Sequence, residues 1–246
     1  MLNSSEIKKA ALDVGFDDCG IARADTLTDE EYPLREWLRR GWHGDLQYME
    51  RNADKRMDPR LLLPGARSVI CCVSAYPPPE NNQNTPIIQN TPNTPKIAAY
   101  AQHREYHNDI KAMLFALGDR LSKMQNSKFE IRNSKFCCDT VPISDKHWAA
   151  RAGLGWIGRH TLLVTPRWGS WVNLGEIVTT EECSEYSEYS NYSENSAHSD
   201  FCSKCNRCVA ACPNQAIKPL TPAPSVPSLR EGWPQAGVCP QFSILH

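Results

Sequence analysis

The amino-acid sequence predicts a mixed α/β (α+β) fold over residues 1–180, followed by a small cysteine-rich module over 201–246. Amphipathic segments with helical periodicity alternate with short apolar runs through the first part. Four cysteines then follow one another within residues 202–212. Between the two parts, the tract 181–200 contains six acidic residues and no Lys or Arg, and we interpret it as a low-complexity linker.

Local patterns predict each element of the larger domain. A helix is expected over 5–15, with Ser4 or Ser5 as its cap, and another over 28–40, with acidic residues in its first turn and arginines in its last. The run SVICCVSA at 68–75 is continuously apolar and suits a buried strand. The remaining expectations are a short helix starting at 46, helices over 109–124 and 147–152, and strands over 16–22, 136–138, 161–164 and 171–179.

Three tracts repeat short polar sequences. QNTP occurs twice within 77–96, NSKF occurs at 126–129 and 133–136, and Tyr-Ser-Glu units recur through 183–194. Such composition cannot build a packed core, so we interpret the tracts as loop expansions and 77–96 as a disordered surface loop.

Composition indicates the class of protein. With 41% hydrophobic residues, the chain can bury a sizeable core, and its net charge is −1. The first ten residues contain no apolar segment typical of a secretion signal, and no apolar run is long enough to span a membrane. We therefore expect a cytoplasmic protein with no membrane partner, in which clustered cysteines hold metal and do not pair with each other.

The cysteine spacing is the most specific motif. Cys202, Cys205, Cys208 and Cys212 follow the pattern C-x2-C-x2-C-x3-C, and Pro213 closes it. This is the bacterial ferredoxin run, in which closely spaced thiolates wrap one [4Fe–4S] cluster. A zinc site would favour two well-separated C-x2-C pairs, and a disulfide framework would need an oxidising compartment. We favour the iron–sulfur cluster.

A glycine-rich stretch precedes the cysteines. Gly153, Gly155 and Gly158 are followed by Arg159, His160 and Thr161. Glycines at this density let the backbone approach a large flat or anionic ligand. The alternative is a tight structural turn between a helix and a strand. The G-x-G-x-x-G spacing is not a dinucleotide fingerprint here, because no clean strand precedes it and no helix clearly follows.

Asp139 is the candidate acid. It stands at the end of a predicted strand, with Val141 and Ile143 nearby. A carboxyl group among apolar neighbours can have a raised pKa and deliver a proton. The alternative is an Asp that caps the following turn, the commoner role before Thr-x-Pro. The residues alone do not decide between these roles.

Several motifs in fixed order resemble epoxyqueuosine reductases. They are GWHGDLQYMERN at 41–52, KRMDPRLLLPGARSVI at 55–70, YAQHREYH at 100–107, DTVP at 139–142, AGLGWIGRHTLL at 152–163, GSWVNLGEI at 169–177 and the cysteine run. The resemblance covers most of residues 1–217, interrupted by the low-complexity tracts.

The resemblance implies a function. This family reduces epoxyqueuosine to queuosine in the anticodon stem-loop of tRNA, using cobalamin, two [4Fe–4S] clusters and an electron donor. The N-terminal domain would hold cobalamin, a ferredoxin-like module would carry electrons to it, and Asp139 would be the proton donor. The resemblance places the cofactor-binding residues at Tyr106, His107, Gly153, Gly155, Trp156, Gly158, Arg159 and Thr161. Candidates for phosphate contact are Arg151, Arg159 and Arg167.

The sequence also departs from the family pattern. The family's Gly and Asp within the motif at 100–107 are replaced by His103 and Glu105. After Cys212 only Cys239 follows, whereas two clusters need eight thiolates. We therefore expect a C-terminally shortened member with one cluster, whose fourth ligand is Cys212 or Cys239, and a doubtful second cluster.

Three functions stay possible at this point. The first is a monomeric oxidoreductase of the epoxyqueuosine reductase type. The second is a shortened 4Fe–4S electron-transfer or binding protein without tRNA reductase activity. The third is a different cobalamin-dependent reductase on the same scaffold, as in the related reductive dehalogenases.

Overall fold

The computed structural model describes residues 2–76, 98–102, 105–124, 127–187, 202 and 204–217. The predicted loop at 77–96, His103, residues 188–200 of the predicted linker and Cys239 lie outside the described residues.

A four-stranded sheet forms the centre of the larger domain. Its strands are β1 (Asp18–Arg23), β2 (Ser68–Ala75), β3 (Ser134–Cys137) and β6 (Val172–Thr179), in the order β1-β2-β6-β3, with every neighbouring pair antiparallel. A separate two-stranded hairpin joins β4 (Trp156–Ile157) to β5 (Leu163–Val164). The predicted mixture of helices and strands is confirmed, with an antiparallel central sheet.

Helices cover the sheet on both faces. The described α-helices are α1 (Ser4–Asp13), α2 (Thr28–Arg39), α3 (Gln47–Arg51), α4 (Ala53–Met57), α5 (Tyr106–Lys123), α6 (Asp145–Arg151) and α7 (Arg207–Ala211). Short 3-10 turns occur at Pro59–Leu61, Ala99–Gln102 and Ile131–Asn133. Within the described ranges, no helix combines the length and apolar character needed to cross a lipid bilayer.

The alternation of side chains along β2 explains why its sequence is apolar throughout. Ile70 and Cys72 pack with α1 and α5 on one face of the sheet. Val69, Cys71 and Val73 pack with α2, α4 and α6 on the other face. Both faces are therefore buried, which removes the polar alternation that a half-exposed antiparallel strand would show.

Two glycines allow helices to approach the sheet closely. A side chain at Gly175 of β6 would place its Cβ 2.6 Å from Ile110 Cγ2 of α5. A side chain at Gly20 of β1 would place its Cβ 2.1 Å from the carbonyl oxygen of Ala152, just after α6. One glycine therefore sets the spacing of each helical layer against the sheet.

The structure corrects two local expectations. Helix α1 is capped by Asn3, whose side chain accepts hydrogen bonds from the backbone N–H groups of Ser5 and Glu6, because Ser4 is already the first helical residue. The NSKF copy at 133–136 is part of the packed fold, since it supplies most of β3. Sequence periodicity did not predict α4 or β4, because each spans at most five residues.

Residues 181–187, the beginning of the predicted linker, pack against the larger domain. Leu2 and Cys183 form a parallel bridge, and Cys183 is buried although its tract was interpreted as a loop expansion. The Ser187 N–H donates to the Ile21 carbonyl at 2.7 Å. The four cysteines of the two Cys-Cys pairs are core residues: Cys71, Cys72, Cys137 and Cys138.

We expect Gly20→Ala to destabilise the protein more than Gly175→Ala. The new methyl group at 20 meets backbone, which cannot move aside locally, whereas the methyl group at 175 meets side chains that can shift. The cost at 175 should be about 1–3 kcal/mol, typical of overpacking. Urea unfolding of both variants measures the order, and an equal or smaller loss for Gly20→Ala would contradict it.

Candidate functional site

A cavity of about 550 Å³ opens between α2, α4, α6 and one end of β6. The apolar residues that line it are Leu34, Trp37, Met49, Met57, Ile143, Val172 and Leu174. The polar residues that line it are Glu30, Arg56, Tyr106, Asp139, Ser144, Asp145, Lys146, His147, Thr161 and Asn173. Large, mostly apolar cavities with a few converging polar groups are the usual form of ligand sites.

Asp139 lines the cavity and lies just after β3. Its backbone is in the left-handed region, with φ of 53°, which costs about 1 kcal/mol or more for a non-glycine residue. The Tyr106 hydroxyl donates a hydrogen bond to Asp139 Oδ2, and His107 Nε2 lies 3.0 Å from the same oxygen. The Asp139 side chain remains 48% exposed. Its surroundings are thus polar and open, in contrast to the apolar environment expected from Val141 and Ile143.

The start of α5 holds this arrangement. The Tyr106 and His107 rings stack with centroids 4.1 Å apart. Burial raises the pKa of Tyr106, and its hydrogen bond to Asp139 raises it further, so the hydroxyl keeps its proton and acts as a donor. Glu105 contacts His107 Nδ1, and its side chain accepts a bond from the His107 backbone N–H. The contacts therefore run from Glu105 through His107 to Asp139.

A second polar cluster also lines the cavity, and it was not predicted from the sequence. His147 Nε2 lies 3.2 Å from Glu30 Oε2, and Ser144 Oγ lies 2.7 Å from His147 Nδ1. Burial raises the pKa of Glu30 to about 7 and lowers the pKa of His147 to about 3. Burial therefore disfavours both charges, and near neutral pH an uncharged His147 faces a partly protonated Glu30.

Lys146 connects the cluster to the glycine-rich stretch. Its ammonium donates a 2.7 Å hydrogen bond to the carbonyl oxygen of Thr161. Thr161 has a φ of 67°, so this bond helps to hold a left-handed backbone on the cavity wall. Burial lowers the pKa of Lys146.

Backbone conformation and close packing within the domain explain the three glycines of this stretch. Gly153 takes a φ of 80° immediately after α6. A Cβ at Gly155 would lie 2.2 Å from the Val164 carbonyl oxygen, and a Cβ at Gly158 would lie 2.7 Å from the His160 ring. The tight structural turn that was the alternative explanation accounts for all three.

The other predicted ligand residues of this stretch occupy different places. Thr161 lines the cavity, and Trp156 is half-buried in β4. Arg159 Nη1 donates to Asn206 Oδ1 at 2.9 Å and thereby joins the stretch to the cysteine module. The cofactor role of these residues and of the glycines stays a prediction.

The arginines proposed for phosphate contact also differ in position. The guanidinium of Arg151 donates hydrogen bonds of 3.1 Å to the backbone carbonyls of Asp25 and of Thr26, so its contacts are within the domain. Arg167 is exposed and stacks on Trp168 with 4.9 Å to the ring centroid. Of Arg151, Arg159 and Arg167, the one whose position best suits an external phosphate is Arg167.

The cysteine module presents four half-buried free thiols, those of Cys202, Cys205, Cys208 and Cys212. The Ala216 N–H donates to Cys212 Sγ at 3.3 Å. Backbone hydrogen bonds from Ala216 and Ile217 lower the pKa of Cys212, which favours the thiolate form that a cluster ligand requires. In the described part of the chain, no three His, Cys, Asp or Glu side chains converge as ligands of one metal ion.

Comparison with known families gives two matches. Residues 56–140 match the family described as "Epoxyqueuosine reductase QueG, DUF1730", and residues 198–218 match the "4Fe-4S binding domain". Epoxyqueuosine reductase of Leadbetterella byssophila is 38% identical over 175 residues, covering 71% of this chain and 54% of the relative. That of Cellulophaga algicola is 39% identical over 176 residues, covering 72% and 54%. The chain thus spans about half the length of these curated relatives.

Solved structures give the same similarity. The epoxyqueuosine reductase of Streptococcus thermophilus superposes with a TM-score of 0.63 at 28% identity, covering 87% of this chain and 53% of the other. An epoxyqueuosine reductase crystallised with an epoxyqueuosine-modified tRNA-Tyr stem loop superposes with a TM-score of 0.62 at 25% identity, covering 87% and 52%.

We expect Glu30→Gln to change the pH dependence of stability. The pKa of Glu30 rises from 4.5 to about 7 in the folded protein. Proton binding to Glu30 therefore adds to the free energy of unfolding below pH 4.5, and this contribution disappears as the pH rises through 7. Glu30→Gln cannot lose such a contribution, because glutamine does not titrate. Relative to wild type it should gain about 2–3 kcal/mol between pH 5 and pH 8.

Urea unfolding at the two pH values measures this difference. Glu31→Gln, which removes a more exposed carboxylate from the same turn and leaves Glu30 intact, serves as the control and should follow the wild type. Parallel curves for Glu30→Gln and wild type would contradict the effect of burial.

Proposed function

Because this chain belongs to the epoxyqueuosine reductase family, we propose that it reduces epoxyqueuosine to queuosine in the anticodon stem-loop of tRNA. We further propose cobalamin and a [4Fe–4S] cluster as its cofactors. The observation that carries the proposal is the position of Asp139 on the cavity wall, held by Tyr106 and His107 and still open on one side. The tRNA partner is supported by the relative crystallised with a modified stem loop.

The mixed lining of the cavity suits a large ring ligand with a polar rim. Cobalamin has a broad apolar ring surface and a rim of amide groups. Apolar lining residues such as Trp37 and Leu174 would contact the ring, and the polar lining residues would supply hydrogen-bond partners for the amides. When bound, cobalamin supplies the reducing chemistry that amino-acid side chains lack.

The protein's own contribution is position and a proton. Removal of the epoxide oxygen as water requires proton donation to that oxygen. Asp139, in its protonated form, is the group placed to give it, and Tyr106 and His107 fix the direction of its carboxyl group. The left-handed backbone at Asp139 keeps the side chain directed at the cavity wall.

The module provides the ligands for one cluster. The spacing of Cys202, Cys205 and Cys208, with Cys212 as the fourth ligand, supplies the four thiolates that one cubane requires, and these would converge around the cluster when it is bound. The bond from Ala216 to Cys212 Sγ is of the kind that stabilises a ligating thiolate. We propose that electrons from a donor protein enter the site through this cluster, and that the Arg159–Asn206 bond keeps the module next to the cavity domain.

We expect the chain, reconstituted anaerobically with iron, sulfide and cobalamin, to hold cobalamin and about four irons. Cys208→Ala should lose the iron, because it removes one of the four thiolates. Cys183→Ala, which removes a buried thiol outside the run, should keep it. Visible spectra with iron and cobalt analysis measure both. Iron without cobalamin would instead favour an electron-transfer protein that lacks reductase activity.

We expect Asp139→Asn to lower turnover by about 10²–10⁴-fold while cobalamin and iron are retained, since an amide cannot donate the proton. The assay follows loss of one oxygen from an epoxyqueuosine-containing anticodon stem-loop by mass spectrometry. Asp119→Asn, on the exposed side of α5, is the control and should turn over normally. Wild-type turnover in Asp139→Asn would refute the acid role.

A further inference from the structure

Glu176 is a buried acid in the middle of the central sheet. It lies on β6 with Cys71 of β2 opposite on one side and Cys137 of β3 opposite on the other. Its relative exposure is 0%, and neither carboxyl oxygen has a well-formed hydrogen bond within the described residues. An ionised carboxylate in such a place would cost several kcal/mol, so the site favours a carboxylic acid that keeps its proton.

Asp145 is the neighbouring acid. It is the first residue of α6 and lines the cavity, and its Oδ1 is also buried without a hydrogen bond. Burial raises the pKa of Asp145 to about 6. Burial raises the pKa of Glu176 well above its usual value, and the charge of Asp145 raises it further. Two carboxyl groups in such a pair retain one proton between them.

The surrounding groups determine which carboxyl keeps the proton. Arg56 of α4 stands on the side of Asp145 and favours its ionised form. The charge of Asp139 disfavours ionisation of both acids. The thiols of Cys71 and Cys137 are kept neutral because burial raises the pKa of each. The pair therefore holds its proton on Glu176, with the charge on Asp145 facing the cavity.

We propose, resting on the function proposed above, that Asp145 and Glu176 form a proton reservoir that reprotonates Asp139. Conversion of an epoxide to an alkene and water consumes two electrons and two protons. The electrons come from the donor through the cluster. Asp139 gives one proton to the oxygen as the C–O bond breaks, and the carboxylate left behind must be protonated again before the oxygen leaves as water.

The reservoir supplies that second proton. The O–H bond of Glu176 breaks, its proton passes through the Asp145 carboxyl group on the cavity wall, and an O–H bond forms on Asp139. Asp139 then gives this proton to the departing hydroxide, which leaves as water. After product release, Asp139 and the Asp145–Glu176 pair each regain one proton from solvent, which accounts for the two protons consumed. Asp145 and Glu176 act through Asp139 and do not touch the substrate.

The first test is Glu176→Gln, which keeps the size and neutrality of the buried group but removes the transferable proton. Turnover of the modified stem-loop should fall about tenfold or more, since proton transfer is worth about 10²–10⁴ in rate. Small buffer acids such as imidazole should restore it in proportion to their concentration, whereas wild type should be insensitive to them. Retained cobalamin affinity shows that the site is intact.

Two outcomes overturn the proposal. One is wild-type turnover in Glu176→Gln. The other is a loss of turnover that buffer acids do not restore, which would mean a structural role only. If Glu176→Gln fails to fold, Asp145→Asn at the cavity wall takes its place with the same expectations. Glu182→Gln, which removes an exposed acid paired with Arg67, is the matched control and should match wild type.

Infrared spectroscopy tests the shared proton without catalysis. Because Glu30 is partly protonated near neutral pH, the spectra are recorded in a Glu30→Gln background. That background should show the carbonyl absorption of a protonated carboxyl group, which the further change Glu176→Gln should remove and the further change Glu182→Gln should keep. A Glu30→Gln spectrum without this absorption overturns the reservoir even if the chain is active. If the absorption is present but wild type reduces no epoxyqueuosine, the proposed function fails, and with it the reservoir's role at Asp139.

Discussion

The constraint on which the structure depends is that the second half of strand β6, residues 176–179, is buried and is paired on both edges. Its neighbours β2 and β3 supply the pairing, α5 covers one face, and α6 covers the other. Close packing of this kind leaves no room for a side chain at Gly175 and no water for Glu176. A strand in this position holds the layers together, and the acid that it carries cannot behave as a surface acid.

Helix α6 converts this rigid centre into a site. Three consecutive residues at its start contact three different parts of the molecule. Asp145 interacts with Glu176 of the sheet, Lys146 binds the Thr161 carbonyl of the following stretch, and His147 faces Glu30 of α2. Because these side chains are packed from several directions, their protonation is set by burial and not by solvent. The polar residues of the cavity wall therefore have shifted pKa values.

Asp139 differs from these buried groups because it is open to solvent. It is half exposed, and its orientation comes from hydrogen bonds with Tyr106 and His107 at the start of α5. An acid that must reach a substrate needs access, so orientation has to come from a few specific partners and not from burial. This open acid and the buried pair of acids are the arrangement on which the proposed proton transfer to Asp139 rests.

The sequence by itself determined the features that depend on neighbouring residues. The bounds of β2 follow from an apolar run, and the cysteine spacing indicated the 4Fe-4S binding domain that the family comparison also finds. The individual cluster ligands and the acid role of Asp139 stay predictions. Only the tertiary structure decided which distant groups meet. The glycine-rich stretch proved to be a close-packed turn, and Glu30 changed from a helix-end acid into a buried one. The physical reason is that spacing along the chain encodes local geometry, whereas burial, which sets the pKa of Glu30, His147 and Glu176, arises only when separate elements pack together.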